Sequence, residues 1–176
     1  MTLTTARLTL RPLNADDWPL FYALHNDIDV IEKCFDKPSE AHVRAKFNER
    51  LKPWSPGGNT PLCLVIVETC TGKEVGVTGF TSSTVPNSQE VGYLLLPNFH
   101  GRGYATESLK VVLDYAIREH RVCEFKAVVT EGNVGSEKVL EKCGFQLIEK
   151  QPDAYMIGGI LYTDHHFYLN RTDHTL

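Results

Sequence analysis

Residues 90–117 read EVGYLLLPNFHGRGYATESLKVVLDYAI, and their reading decides the fold. A strand runs up to Pro97, a loop carrying Gly101 and Gly103 follows, and a long helix then begins. Along that helix Ala105, Leu109, Val112, Leu113, Ala116 and Ile117 make one apolar stripe at helical spacing. Such a passage gathers free backbone N–H groups and the positive end of a helix dipole in one concavity, which favours phosphate oxygens. The two glycines allow backbone conformations closed to other residues and let a pyrophosphate approach the chain. Arg102 and Thr106 are candidates for side-chain contacts to it. Two familiar phosphate loops are excluded, because no GxxxxGK[ST] string occurs and Thr106 stands where GxGxxG needs its third glycine.

Upstream, 62–69, 74–82 and 88–96 read as three strands, broken by TGK at 71–73 and by the polar stretch around Pro86-Asn87. Short turns between consecutive strands predict an antiparallel meander. Residues 6–12 alternate as a further strand with Leu8 and Leu10 on one face. Asn14 is placed to cap a helix over about 15–25, and Ser39 to open another reaching about 51. PWSPGGNTP at 53–61 is a loop, since proline and glycine break both regular structures. Downstream, FKAVV at 125–129 is a short buried strand, and Asn133 caps a helix that ends at Cys143-Gly144, where Gly144 supplies the left-handed residue. FQLIEK and the segment 155–169 complete the sheet as strands. The expected product is a single α/β (α+β) domain over residues 1–176. Its sheet is mixed and mostly antiparallel, with six to seven strands, about four helices and a helical crossover in the middle.

Composition bounds the partners. The chain has 176 residues, 42% hydrophobic and 23% charged, which suits one core. A net charge of -4 leaves no basic field for nucleic acid or an anionic membrane, and a mildly acidic surface is compatible with a cationic substrate such as an amine. No apolar run approaches the roughly 20 residues of a membrane span. The opening MTLTTARLTLRPL carries Arg7 and Arg11 in place of a signal-peptide core. Five cysteines without metal-ligand spacing point to a reducing, cytoplasmic setting with unpaired thiols, and Cys63 and Cys123 read as small buried hydrophobes. His165, His166, Cys143 and His174 likewise lack metal spacing, so no metal is expected.

NFHGRGYATES, followed about 30 residues later by NVGSEKVLEKCGF, resembles the GCN5-related N-acetyltransferase (GNAT) superfamily. Within it the chain is similar to the branch of ribosomal-protein N-terminal acetyltransferases and their small-molecule relatives. RLTLRPL at 7–13, EVGYLLLP at 90–97, GRGYATE at 101–107 and the run 133–145 match that branch in order over nearly the whole chain. Asn98 departs from the Gln or Arg that often opens the superfamily's loop, at a position the branch varies.

The resemblance implies acetyl-CoA as co-substrate. It assigns the strand backbone of Leu94 and Leu96 to pantetheine, the loop from His100 through Gly101, Arg102, Gly103, Tyr104, Ala105 and Thr106 to the pyrophosphate, and the Asn133 side chain to pantetheine. The fourth and fifth strands should splay to admit pantetheine between them. It leaves a homodimer open, since relatives often dimerise.

Several residues have two readings. Ser136 is either a first-turn capping serine or the hydroxyl that protonates the departing thiolate. Glu90 is either a solvated glutamate at a strand start or the general base, with Gly92 on the same face leaving room for substrate. Trp18, Phe21, Tyr22, His25 and Trp54 either line the acceptor pocket or fill the core. His165, in the Asp164-His165 pair, either orients a base or satisfies a strand edge. The expected reaction is direct attack of a neutral amine, from a protein N-terminus or a small molecule, with the oxyanion held by a backbone N–H near Leu95. The rival is an acyl-CoA sensor that kept the fold and lost the chemistry.

Overall fold

Alternating, β-branched runs give the strands, and nearly every break falls at a glycine, a proline or a polar cap. The computed structural model describes residues 1–55, 58–82 and 88–171. Its elements are β1 (Leu3–Thr4), β2 (Leu8–Pro12), α1 (Trp18–Asn26), α2 (Ile28–Ile31), α3 (Glu40–Arg50), β3 (Leu62–Glu68), β4 (Glu74–Ser82), β5 (Ser88–Leu95), α4 (Tyr104–His120), β6 (Glu124–Thr130), α5 (Val134–Lys142), β7 (Gln146–Ile157) and β8 (Ile160–Asn170). One sheet holds all of these strands in the order β1-β2-β3-β4-β5-β6-β8-β7. Neighbours run antiparallel except β5 and β6, which are parallel because α4 carries the chain back between them.

Helices cover both faces, and the strand pattern says which residues go where. Leu8, Leu10, Leu64, Ile66, Phe125 and Phe167 point to the side covered by α4 and α5, with Leu109, Val112 and Leu140 packed on them. Cys63, Val65 and Val77 point the other way, under Phe21 and Leu24 of α1 and Val43 and Phe47 of α3. Most of these side chains are fully buried, and each contributes roughly 1.5–3 kcal/mol of transfer free energy against the entropy of ordering the chain.

The class is as expected, and the element counts are higher. β1 is only two residues long, too short for alternation to show. α2 is a single turn capped by Asp27, whose carboxylate accepts from the Asp29 N–H at 3.0 Å. Residues 15–17 form a 3-10 turn rather than the start of a helix: Asn14 accepts from the Asp16 N–H at 2.8 Å and donates its own N–H to Asp17 at 2.7 Å. The segment 155–169 is not one strand. Tyr155–Ile157 closes β7, and Gly158 and Gly159, with φ of 58° and 80°, make the two-residue turn into β8. The other end of the α5 helix fits the reading, with Gly144 at φ 91°. Cys123 is half-buried rather than buried, whereas Cys63 lies in the core. The turn expected at Pro86-Asn87 and His174 lie outside the described residues. No helix among the described residues is long and apolar enough to cross a membrane.

Candidate active site

The centre of the sheet is open. β5 and β6 pair only where Ser88–Glu90 meets Glu124–Lys126. Beyond that point β5 stays with β4 as far as Leu95, and β6 stays with β8 as far as Thr130. Val91–Leu95 and Ala127–Thr130 therefore diverge, as expected of the splayed pair. The Leu96 N–H donates to the Val75 carbonyl at 2.9 Å. Because N–H groups alternate along a strand, those of Leu94 and Leu96 face β4, and those of Tyr93 and Leu95 face the gap. The Leu94 carbonyl also faces β4, lying 2.1 Å from where a Cβ on Gly76 would stand. The backbone N–H groups open to the gap are therefore those of Tyr93 and Leu95, each next in sequence to the Leu94 and Leu96 named from the resemblance. The Leu95 carbonyl is already taken, accepting from His100 Nε2 at 2.9 Å.

At the end of β5 the chain turns through Gly101 (φ 73°) and Gly103 (φ 79°) into α4. Both are left-handed positions, where a side chain costs roughly 1–2 kcal/mol. Gly103 is the N-cap of α4 and no side chain caps that end, so the first N–H groups of the helix are left for a ligand. The N-terminus of α5 is treated differently, since Asn133 Oδ1 accepts from the Ser136 N–H at 3.2 Å.

A cleft of about 460 Å³ joins these parts. It gathers Leu94, Leu95, His100, Gly101, Gly103, Tyr104, Ala105 and Thr106 with Asn133 and Ser136, and adds Lys33, Lys138 and Lys142. Uncapped N–H groups, open space above Gly101 and three lysines, set against the carboxylates of Asp29 and Glu32, suit a phosphate-bearing ligand. Leu96 and Arg102 do not line it; both border a separate depression with Leu20 and Asn98, and the Arg102 guanidinium lies 5.4 Å from the Phe99 ring.

What holds the loop is Arg7, the residue immediately before β2. Its Nη1 donates to the Arg102 carbonyl at 3.0 Å, its Nε to Glu107 at 2.7 Å, and its guanidinium lies 4.6 Å from the centre of the Tyr104 ring. Glu107, in the first turn of α4, also accepts from the Thr5 hydroxyl at 2.6 Å. Burial pushes the Glu107 carboxyl up, but its bonds to Thr5 and Arg7 prevail and hold it below the ordinary carboxylate range. The Tyr104 hydroxyl donates to Glu68 of β3. The ties of Arg7 and of Thr5 span 95 to 102 residues of sequence and that of Tyr104 spans 36, and no local pattern announces them.

A second cleft, of about 360 Å³, opens on the face covered by α1 and α3. Glu90, Gly92 and Leu94 line it from β5, with Phe21, His25, Lys46 and Arg50 above. Cys34, Tyr93, Leu94, Asn133 and Ser136 border both clefts, so the two meet at the divergence of β5 and β6. At that junction the Tyr93 hydroxyl donates to the Ser136 carbonyl at 3.1 Å, and burial pushes its pKa up. Asn133 Nδ2 lies 3.8 Å from Cys34 Sγ, whose thiol burial also pushes up. Tyr93 and Cys34 went unmarked in the sequence because each resembles an ordinary core residue.

Of the expected pocket aromatics, only Phe21 and His25 reach this cleft. Trp18 lies beneath the Arg44 guanidinium at 3.2 Å and packs on Tyr22. Trp54 sits on the α4 side, against Phe80 and His120. His25 Nδ1 is hydrogen-bonded to the Phe21 carbonyl at 2.8 Å, so Nδ1 carries the proton, and burial lowers the ring's pKa to about 4. His165 satisfies no strand edge: β8 lies between β6 and β7, and its ring reaches Glu137 of α5 at 2.5 Å. Among the described residues no group of three His, Cys, Asp or Glu could hold a metal ion.

The comparisons agree with this geometry. Residues 7–146 match the family model described as the acetyltransferase (GNAT) domain. The chain is 26% identical over 149 residues to the uncharacterized N-acetyltransferase YnaD of Bacillus subtilis, covering 83% of each. It superposes with a TM-score of 0.84 on a GNAT-family acetyltransferase from Bacillus anthracis, at 20% identity, covering 98% of this chain and 100% of that one. The spermidine N-acetyltransferase of Vibrio cholerae, solved with CoA and spermine, superposes with a TM-score of 0.82 at 19% identity, covering 96% and 98%. With the splayed strands, the uncapped helix end and the matched domain together, the chain belongs to the GNAT family and is an acetyltransferase.

Proposed function

We propose that the chain transfers the acetyl group of acetyl-CoA to a primary amine by direct attack in a ternary complex. The observation that carries this reading is the meeting of two clefts at one gap in the sheet, one suited to a phosphate-bearing ligand and the other lined by Glu90. Acetyl-CoA supplies a thioester for transfer. Its pyrophosphate would be held by the N–H groups of residues 103–106 and by Lys138 and Lys142, and its pantetheine by the Tyr93 and Leu95 backbone and Asn133.

The chain's own groups have separate tasks. Glu90 takes the proton lost by the attacking ammonium, directly or through water. The Leu95 N–H, facing the gap, stabilises negative charge on the carbonyl oxygen. The amine lone pair forms the new C–N bond, the C–S bond breaks with its electrons on sulfur, the Ser136 hydroxyl protonates that thiolate, and the second proton shed by the amine nitrogen as it becomes an amide returns to Ser136. Tyr93 fixes the Ser136 backbone at the junction. Holding both reactants in line supplies much of the rate.

The experiment is CoA release across a panel of amines. Glu90→Gln should slow an amine with a pKa near 10.4 more than an α-amine near 8, since the former arrives more firmly protonated. Equal slowing of both ends Glu90's candidacy as base. Binding of acetyl-CoA without release on any amine would make the chain a sensor.

A further inference from the structure

Resting on the transfer reaction above, we infer that the acceptor is a small primary amine that also carries an anionic group, a carboxylate or a phosphate, seated against Lys46 and Arg50. The chain as a whole carries a formal charge of -4, yet the acceptor cleft is lined by Lys33, Lys46 and Arg50 against the single carboxylate of Glu90. Lys46 and Arg50 stand four apart on α3, on one helical face, where like charges repel. Neither belongs to an ion pair among the described residues, whose pairs use Arg7, Arg11, Arg44 and His165.

Both are half-buried. The Lys46 ammonium lies 5.7 Å from the Phe35 ring and the Arg50 guanidinium 6.0 Å from the Phe21 ring, and both rings line the cleft. Arg50 Nη1 donates to the Lys46 carbonyl at 3.4 Å. Burial and then the Arg50 guanidinium lower the Lys46 pKa, with Glu49 offsetting only part of this, and a bound anion would relieve the remaining cost. His25 adds no charge near neutral pH, because its pKa lies at about 4.

These two cations are not part of the cofactor cleft. Of these cations, Lys138 and Lys142 line the cofactor cleft and not the acceptor cleft, Lys46 and Arg50 line the acceptor cleft and not the cofactor cleft, and Lys33 borders both. A zwitterionic amine fits the arrangement, with its ammonium toward Glu90 and its anion toward α3. The same cations disfavour the ammonium form of the acceptor and so ease its deprotonation. A polyamine, with several ammonium groups, meets repulsion from Lys46 and Arg50.

The test compares CoA release with spermidine, tyramine, a series of α- and ω-amino acids, and O-phosphoethanolamine. At least one anionic amine should exceed both tyramine and spermidine in kcat/KM by about tenfold or more, and the better arm tells carboxylate from phosphate. Lys46→Gln with Arg50→Gln should raise KM for that amine about 10- to 100-fold while moving kcat much less. Lys46→Arg with Arg50→Lys, which keeps both charges, should restore most of the preference, and this separates charge recognition from damage to α3. Turnover led by spermidine or tyramine overturns the inference and leaves acetyl transfer standing, as does an unchanged KM in the double Gln variant. No turnover on any amine removes acetyl transfer and this inference together.

Discussion

Gly76 of β4 offers a perturbation whose consequence can be worked from the backbone. A Cβ placed there would lie 2.1 Å from the Leu94 carbonyl oxygen and 2.8 Å from Leu95 Cα, both backbone atoms of β5. Contacts below 3.0 Å essentially never occur for a real Cβ, so Gly76→Ala must push β5 away by roughly 1 Å. Overpacking of this kind costs typically about 1–3 kcal/mol, and for a domain of this size each kcal/mol lowers Tm by about 2–4 °C, giving a loss of roughly 2–12 °C. The displaced segment carries the Tyr93 and Leu95 amides that face the gap, where a misplacement of about 1 Å can cost two orders of magnitude in rate. The assay pairs thermal unfolding with the acetyl-CoA Kd and with CoA release. Gly72→Ala is the control, because its φ of 70° imposes a left-handed cost but nothing stands within 4 Å of the added carbon. It should lower Tm by a few degrees, about 1–2 kcal/mol of strain, and leave the Kd unchanged. If Gly76→Ala matches Gly72→Ala in both readouts, the close approach of β4 to β5 is not what sets the cleft.

Three further outcomes follow from the same contacts. Arg7→Met should weaken acetyl-CoA binding about 3- to 10-fold by freeing the Arg102 loop, although Arg7 is half exposed and its pair with Glu107 adds only about 1 kcal/mol to stability; an unchanged Kd by calorimetry would remove Arg7 from the account. Asn133→Ala should cost about 1 kcal/mol through the lost cap on α5, read from denaturant midpoints, whereas Asn133→Asp should retain the cap. His25 has a folded pKa of about 4 against 6.5 unfolded, so between those values the unfolded chain binds the extra proton and stability falls as pH drops. The loss amounts to about 3 kcal/mol over that window at most, and His25→Gln should flatten it; an identical pH profile would show that His25 titrates alike in the folded and unfolded chain.

Much of the cofactor side was legible in the sequence because its signals are local. The glycine pair, the helical stripe beginning at Ala105 and the Asn133 cap each depend on residues within a turn or two of one another. Strand register was less legible. Pleating fixes which residues share a face, but the exchange of N–H groups with β4 decides whether Leu94 or Leu95 presents its amide, and that register emerges only from pairing. The β7–β8 boundary was misplaced because the alternation continues on both sides of Gly158-Gly159. Arg7, Tyr93 and Cys34 gained roles through contacts with distant elements. The charge of the acceptor cleft was the least visible property, since a chain that is acidic overall collects Lys46, Arg50 and Lys33 from two separate segments.

Thermal unfolding with and without acetyl-CoA tests the central claim most directly. A ligand present at 100 times its Kd adds about 2.7 kcal/mol, which for a domain of this size raises Tm by roughly 5–10 °C. The account predicts that rise for the natural chain and its loss in Gly103→Trp, whose side chain would block the approach to the uncapped end of α4. No rise at millimolar acetyl-CoA, or the same rise in Gly103→Trp, would contradict it.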